Sequence, residues 1–530
     1  MTRRTLVLFV ATLLLSVLQH AAAQNNRILT TDDWTYIYIE RLQRRGLLLD
    51  LDPTTIPYTS GAVRRALNRI DRSELDETEM RWVDLLRQEI DNVRENRNEW
   101  VLGGSFEAGL QATNNDRLDP LRPTNAGNPT LQAGAVRFFP YATPKLYMEK
   151  GRMIVQAGLR HDFFYDTDPD ALDAANRLYV RSEDTYAGYN SRFVSLYLGR
   201  FKNHWGTPRG SGVLISDNPL SYDQFTLRIG GDRLALYSLI GELDSSLDGA
   251  FPGRIEFLPP EDRARAERRY LAAHRLNWRP TRTFQLSLME SVLYSGPGTG
   301  VSLKYLIPFH IYAFEVDNTP KNDENNGLLA GLIWAYLKPF TITGQILIDD
   351  LDLMGENGEP GSVAFTGSLV WGGIHPTLDA GAMLEVVAAR TYNTHLPEGR
   401  YLYLLRGLAT QFNDYVHVAA FADMYLDSAI PGLTVSPRVD LLWQGSSDIR
   451  DPFPEEDDSV DFILNGPVER TIRPALRIRY QPGPQFWAGF DYGINFITHE
   501  SSDGVDIHPV GLFTVGTRFS FARPYRLSFR

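Results

Sequence analysis

Six residues between positions 202 and 218 carry side chains suited to holding a sugar: Lys202, Asn203, His204, Trp205, Arg209 and Asn218. Sugars are held by an aromatic ring against their C–H faces and by amides, cations and carboxylates around their hydroxyls. A lysine and an arginine would also neutralise the carboxylates of an acidic polysaccharide. The surrounding stretch, FKNHWGTPRGSGVLISDNPLSYDQ (Phe201–Gln224), is rich in Gly, Pro, Ser, Asn and Asp, the composition of a loop. It lies between two alternating runs, Arg192–Arg200 and Phe225–Ile229, and loops on a β-scaffold are common carriers of binding groups. The same composition also fits a turn in which Trp205 packs as a girdle or plug residue.

Other chemistry is sparse. The ten histidines include no H-E-x-x-H and no pair at i, i+4, and no G-x-S-x-G elbow occurs. Gly296-Pro-Gly-Thr-Gly300 lacks the dinucleotide spacing and reads as a loop tip. The acidic clusters Asp349-Asp-Leu-Asp352 and Glu455-Glu-Asp-Asp458 could offer oxygen ligands to Ca²⁺. Neither has EF-hand spacing, and solvated acidic loops are the better reading. Arg275 and Arg477 could line a lumen and bias solute passage. No catalytic residue, metal or cofactor is assigned, and the protein is read as a non-enzyme.

The elements that must carry the loop alternate with period two. Candidate strands run from Val101–Leu110 to Pro509–Phe521 and include Gly134–Phe139, Met153–Asp162, Arg233–Ile240, Arg269–Trp278, Phe284–Tyr294, Tyr401–Leu408, Val416–Tyr425 and Thr434–Trp443. Short turns at Gly230–Asp232, Arg279–Arg282, Lys338-Pro339, His375-Pro376, Gln411–Asp414 and Gln481–Gln485 alternate with long polar loops. One of those loops is 202–222. That is the pattern of a transmembrane antiparallel β-barrel of about 18 strands, with short turns facing the periplasm and long loops outside. Two places resist it. Asp168–Arg181 reads as helical, and Ser446–Ser459 is long where parity asks for a short turn. Aromatics are 12% of the chain, with 25 Tyr, 27 Phe and 9 Trp, enough for interfacial girdles. Mean hydropathy is −0.25 and no long apolar run follows the start, which excludes a helical membrane protein but not a barrel.

The chain opens Met1-Thr-Arg-Arg, then an apolar core over Leu6–Leu18 and Ala21-Ala-Ala23. This reads as a secretory signal peptide (residues 1–23) cut before Gln24. Residues 24–98 form a small helical domain. Asp32 or Asp33 caps a helix ended by Gly46, Ser60 caps a second, and Asp76 with Glu79 opens a third. Residues 99–530 form the barrel, closing on alternating hydrophobics with Phe529 near the end. The address is the bacterial outer membrane, with outer-membrane lipid as a partner and a monomer as the expected state. Cysteine is absent, so stability rests on the hydrogen-bond ladder and packing. The net charge of −12 argues against nucleic acid as a partner.

Trp205-Gly206 followed by Val213-Leu-Ile-Ser-Asp-Asn-Pro219 resembles the signature of the capsule assembly Wzi family of outer-membrane barrels. The Trp34 helix, Thr54-Thr-Ile-Pro57, Leu303–Tyr312, Asn325–Leu328 and Gln345–Asp350 extend the resemblance. It implies a lectin-like, plugged barrel that holds capsular or extracellular polysaccharide at the cell surface. Thr207-Pro-Arg departs from the Pro-Gly turn of the family pattern, and the termini diverge, so the glycan's identity does not transfer. The competing reading is an outer-membrane porin or solute transporter. The discriminating feature is whether the N-terminal helices and Tyr305–Tyr312 fill the lumen.

Overall fold

Period-two segments pair in sequence order and close on themselves. β1 (Trp100–Thr113) pairs with its neighbour Arg137–Lys150 and also with the last strand, Val505–Tyr525, in antiparallel register from Trp100↔Tyr525 to Thr113↔Leu512. The 19 segments of the main sheet form an eighteen-stranded barrel, because Val180–Ser182 and Thr185–Asn190 lie end to end along the single strand Met153–Asp162. The computed structural model describes residues 26–525 except 91–98, 116, 118, 122–134, 167–179, 248–249, 254–258, 297–298, 308, 313–323, 351–360, 395, 452–460 and 501–503. The signal-peptide reading, the Phe529 end, the 455–458 cluster and most of the Asp168–Arg181 stretch lie outside those residues.

Alternation sets the two faces of the wall. Along β2 (Arg268–Thr281), Arg269, Leu271, Ala273, Arg275 and Asn277 point inward and are buried, whereas Leu276 and Trp278 point outward and are exposed. Phe106, Phe138, Leu146, Met153, Val155, Leu198 and Phe519 add to the same outward apolar belt. Among the described residues no helix is long and apolar enough to cross a membrane. The strands make the crossing, since a closed barrel satisfies every backbone group without water. An apolar belt around a closed antiparallel barrel is that of an outer-membrane protein.

The short turns at 231–233, 282–283, 338–339, 376–377 and 484–485 lie at the end of the barrel that holds both Trp100 and Tyr525, the periplasmic end. Two strand assignments needed correction. Thr185–Asn190 is a wall strand, and Tyr401–Leu408 is not. Instead Leu402–Tyr403 and Arg406–Gly407 form a separate two-stranded hairpin inside the long connection 388–414. With that hairpin removed from the wall, Gln411–Asp414 belongs to a long outer connection. The 445–468 connection then falls on the long-loop side, and the parity conflict at Ser446–Ser459 disappears.

The N-terminal helices are α1 (Thr35–Arg44), α2 (Ser60–Leu67) and α3 (Glu77–Ile90), packed around Trp34, Leu42, Trp82 and Leu86. The α3 start is a capping box: Glu79 N–H donates to Asp76 Oδ1 at 2.7 Å and Asp76 N–H donates to Glu79 Oε2 at 3.2 Å. Thr59, not Ser60, caps α2, accepting from Ala62 N–H at 3.2 Å. For α1, Asp33 Oδ1 accepts from Thr35 N–H at 3.0 Å, and Gly46 follows the helix at φ +81°, a conformation glycine adopts freely.

Candidate functional site

The helices stand in the periplasmic mouth because α1 and its C-cap, Arg45, carry three arginines to a wall that offers carboxylates and aromatics. Arg44 Nη1 lies 3.1 Å from Asp423 Oδ2, and Arg45 Nη2 lies 3.2 Å from Asp379 Oδ1 and donates to Pro376 O at 2.9 Å. Arg41 donates to Thr434 Oγ1 at 3.0 Å and sits 4.6 Å over the Tyr425 ring. On α3, Arg81 reaches Pro482 O and Asp427 in two periplasmic turns.

Beyond α1 the chain climbs into the lumen. Arg275 Nη1 donates to Thr54 O at 2.7 Å and Gln285 Nε2 to Thr54 Oγ1 at 2.8 Å. Arg275 is therefore fully buried in the plug and does not line a passage, while Arg477 pairs with Asp491 at 2.8 Å.

The loop singled out in the sequence comes down to meet this segment. It leaves the outer ends of β3 (Val194–Phe201) and β4 (Tyr222–Gly230), as strand parity requires, but folds back into the barrel instead of spreading over its surface. Ile56 and His204 exchange both backbone hydrogen bonds at 3.0 Å, joining plug and loop. Trp205 N–H donates to Ile215 O at 2.9 Å, and Val213, Leu214 and Ile215 are buried to 1% exposure or less. At Gly212 a Cβ would stand 2.2 Å from Ile215 O, a turn that only glycine closes. Tyr392, from the 388–414 connection, donates its hydroxyl to Val213 O at 2.6 Å, and Ser216 N–H donates to Leu408 O at 2.9 Å. Leu121 of the first long loop joins the same core.

The six candidate residues are thus near one another but inward-facing. Trp205 and His204 are each 3% exposed, with Trp205 packed in the lumen core and the Arg275 guanidinium 6.0 Å from its ring. Lys202 donates to Asp217 O at 2.7 Å and Asn203 to Gln224 Oε1 at 2.6 Å. His204 Nδ1 lies 3.2 Å from Asp217 Oδ1. Asn218 donates to Gly407 O at 2.9 Å and to Gln411 Oε1 at 2.7 Å. Arg209 reaches the plug helix: its Nη2 is 2.6 Å from Asp423 Oδ2, its Nε 3.5 Å from Glu40 Oε2, and its guanidinium 4.6 Å over Phe421. Lys202, Asn203, Arg209 and Asn218 keep partial exposure; Trp205 offers no open ring face.

Asp423 is the residue the sequence reading missed. It joins α1 to the loop through Arg44 and Arg209, and its only sequence signal was a carboxylate at an inward position of a strand. Asp349, read as part of an acidic cluster, accepts from Tyr392 N–H at 2.6 Å and so helps seat the 388–414 connection. Among the described residues no group of three His, Asp or Glu side chains is spaced to hold a metal.

One cavity lies where α1, the infolded loop and the wall meet. The cavity bounded by Glu40, Arg44, Arg209, Trp334, Gln345 and Glu385 holds about 50 Å³ of room for water. At roughly 10–15 Å³ per water by that measure, a few molecules fill it.

Three buried carboxyls of the plug and its loop share one sign. Burial alone would raise the Asp32, Asp52 and Asp217 carboxyls, yet each is held below its ordinary value: Asp32 by Arg160 and Lys145, Asp52 by Arg275 and Arg279, Asp217 by His204 and Lys202. A depressed carboxyl stabilises the fold in full above its unfolded pKa, near ~3.9, and loses that contribution as pH falls through the folded value. Glu89, pushed up by burial, contributes with the opposite sign. The plug is therefore expected to resist protease at pH 5 and above and to loosen only below about pH 4. Limited proteolysis of the reconstituted barrel across that range checks it, and loosening already at pH 6 would contradict the assignment.

Residues 147–336 match the family model described as capsule assembly protein Wzi. That stretch contains Trp205–Pro219 and Leu303–Tyr312, so the resemblance read from those residues is borne out; the Trp34, Thr54–Pro57 and Gln345–Asp350 segments lie outside it. No curated protein matches the chain by sequence. Among solved structures, the Escherichia coli outer-membrane protein Wzi superposes with a TM-score of 0.57 at 14% identity, over 96% of this chain and all (100%) of that one. It is described as a carbohydrate-binding β-barrel involved in group 1 capsule assembly. The Pseudomonas aeruginosa outer-membrane protein OpdK gives 0.45 at 11% identity, over 79% of this chain and 99% of that one. OccD3 (OpdP) of the same organism gives 0.44 at 11%, over 80% and 91%. The fold is that of a Wzi-like barrel.

Proposed function

We propose that this Wzi-like outer-membrane barrel is a noncatalytic, lectin-like protein that holds capsular or extracellular polysaccharide at the cell surface. The observation that supports it most is the filled lumen. Helices from the periplasmic side and loops from the outer side meet inside the wall, hydrogen-bonded to it and to each other. Such a barrel presents surfaces to a polymer, and a lumen occupied from both ends favours this reading over an outer-membrane porin or solute transporter.

Within the 202–218 loop we infer two roles. Trp205, His204 and Arg209 fix the loop to the wall and to α1. Lys202, Asn203 and Asn218, half-buried near the outer ends of β3 and the 402–407 hairpin, are the groups we assign to glycan contact. Each contact would be modest, since an exposed ion pair contributes ~0–1 kcal/mol, so affinity comes from many repeat units engaged together. Binding of purified acidic polysaccharide to the barrel in nanodiscs tests the assignment. Lys202→Ala with Asn218→Ala is expected to weaken that binding while leaving the barrel folded. Unchanged binding would confine the loop to a plugging role.

A further inference from the structure

The wall made by β2 and β5 (Phe284–Gly296) carries a polar pair on its outward face. His274 and Glu290 are cross-strand partners. They share the face of Leu276, Trp278, Leu286 and Leu288, all exposed, whereas Arg275, Asn277, Gln285 and Ser287 alternate with them and bond inside the lumen. An imidazole and a carboxylate turned toward hydrocarbon are costly unless another group covers and satisfies them.

Here they are covered from the outside. Tyr312 donates its backbone N–H to Glu290 Oε2 at 2.9 Å, and its hydroxyl lies 2.8 Å from His274 Nε2 and 2.9 Å from Tyr305 O. His274 Nδ1 lies 3.4 Å from Glu290 Oε1. Tyr305, on the short helix Leu303–Leu306, packs against Tyr294 with ring centroids 4.5 Å apart and meets Tyr312 edge-on at 5.3 Å. Tyr294 stacks in turn on Tyr270 of the wall at 5.4 Å. The Tyr305–Tyr312 segment, read from sequence as a candidate lumen filler, therefore lies against the outside of the barrel.

Its other side is apolar and bare. Leu303 is 73% exposed, Phe309 74%, Ile311 51% and Ile307 43%. Lys304 holds its ammonium over the Tyr305 ring at 4.9 Å. The depth follows from strand geometry. Trp278, near the periplasmic end of β2, is four residues below His274. At ~3.4 Å per residue and a tilt of ~40° that places the pair about 10 Å above Trp278, inside an apolar band ~25 Å tall. The segment thus covers the outer half of the membrane-facing wall.

We propose that residues 303–307 and 309–312 form a strap that folds down the outside of the barrel and seats its apolar edge among the acyl chains of the outer leaflet. The His274–Glu290 pair is its clasp. Lipid hydrocarbon is the occupant because the bare side chains run on from the Leu276–Leu288 belt, an interface already given over to lipid. The strap widens the barrel's footprint in one leaflet only and so fixes its seat in the membrane.

The chain has no cysteine, so a nitroxide can be placed at a single position. Labels at Phe309→Cys and Ile311→Cys, in bilayer vesicles, are expected to collide with oxygen several-fold more than with a water-soluble nickel chelate. They should match a label at Leu288→Cys in the belt and differ from one at Asp232→Cys in a periplasmic turn. Nickel access like that of Asp232→Cys overturns the proposal. Shielding from both reagents also overturns it, pointing to a protein surface, with dipolar broadening if that surface is a second copy. Adding Glu290→Ala is expected to raise the mobility of the Phe309→Cys label and leave the Leu288→Cys label unmoved. A strap label indifferent to that change overturns the clasp.

Discussion

Asp423→Ala is expected to turn a closed barrel into a leaky one. The carboxylate is buried, 1% exposed, and accepts from Arg44, Arg209 and Ser436 Oγ, the last at 2.6 Å. Arg44 belongs to the plug helix and Arg209 to the infolded loop, so one side chain ties both halves of the filling to the wall. Removing it leaves buried Arg44 and half-buried Arg209 with Glu40 as their one shared carboxylate, and the loss is expected to approach the cost of breaking a buried pair, about 3–5 kcal/mol. The wall itself keeps its ladder, since no backbone hydrogen bond is touched. In planar bilayers the native protein should show little conductance and the variant frequent openings. Asp423→Asn, which keeps an acceptor, should leak less. A variant as silent as the native protein would mean that the plug is held elsewhere.

Trp205→Ala is the second large effect. Deleting a fully buried indole costs about 3–5 kcal/mol through lost transfer energy and the cavity left behind. The Arg275 guanidinium over the ring cannot move in to fill the gap, because it is held by Thr54. Loss of order should therefore centre on residues 202–221, with faster proteolysis there and the strands unaffected. Trp205→Phe should recover part of the loss. Were Trp205 instead a stacking platform for sugar, alanine would weaken glycan binding and leave proteolysis as it was.

The wall was largely legible because a barrel strand announces itself by alternation and its turns by glycine, proline and length. Alternation does not say what a segment pairs with. The 401–408 stretch alternates as well as any wall strand, yet it folds as a hairpin on Tyr392 and Asn218 inside the lumen. Thr185–Asn190 escaped notice because it is short, and its inward Tyr186 is tied to the N-terminal segment by accepting from Ile28 N–H. The 202–218 loop was visible as a cluster of polar and aromatic groups, but its direction was not. Whether Arg209 points to solvent or to Asp423 depends on a carboxylate more than two hundred residues away in the chain. For Leu303–Tyr312 the period again gave no side of the wall; the outward placement of His274 and Glu290 decides it.

The central claim is most directly tested by titrating the native barrel in nanodiscs with purified acidic polysaccharide, intact and cut to single repeat units. The account predicts saturable binding of the intact polymer that weakens with salt and falls steeply for single units, because screened, modest contacts act only in number. A folded, plugged barrel that binds neither form would contradict it.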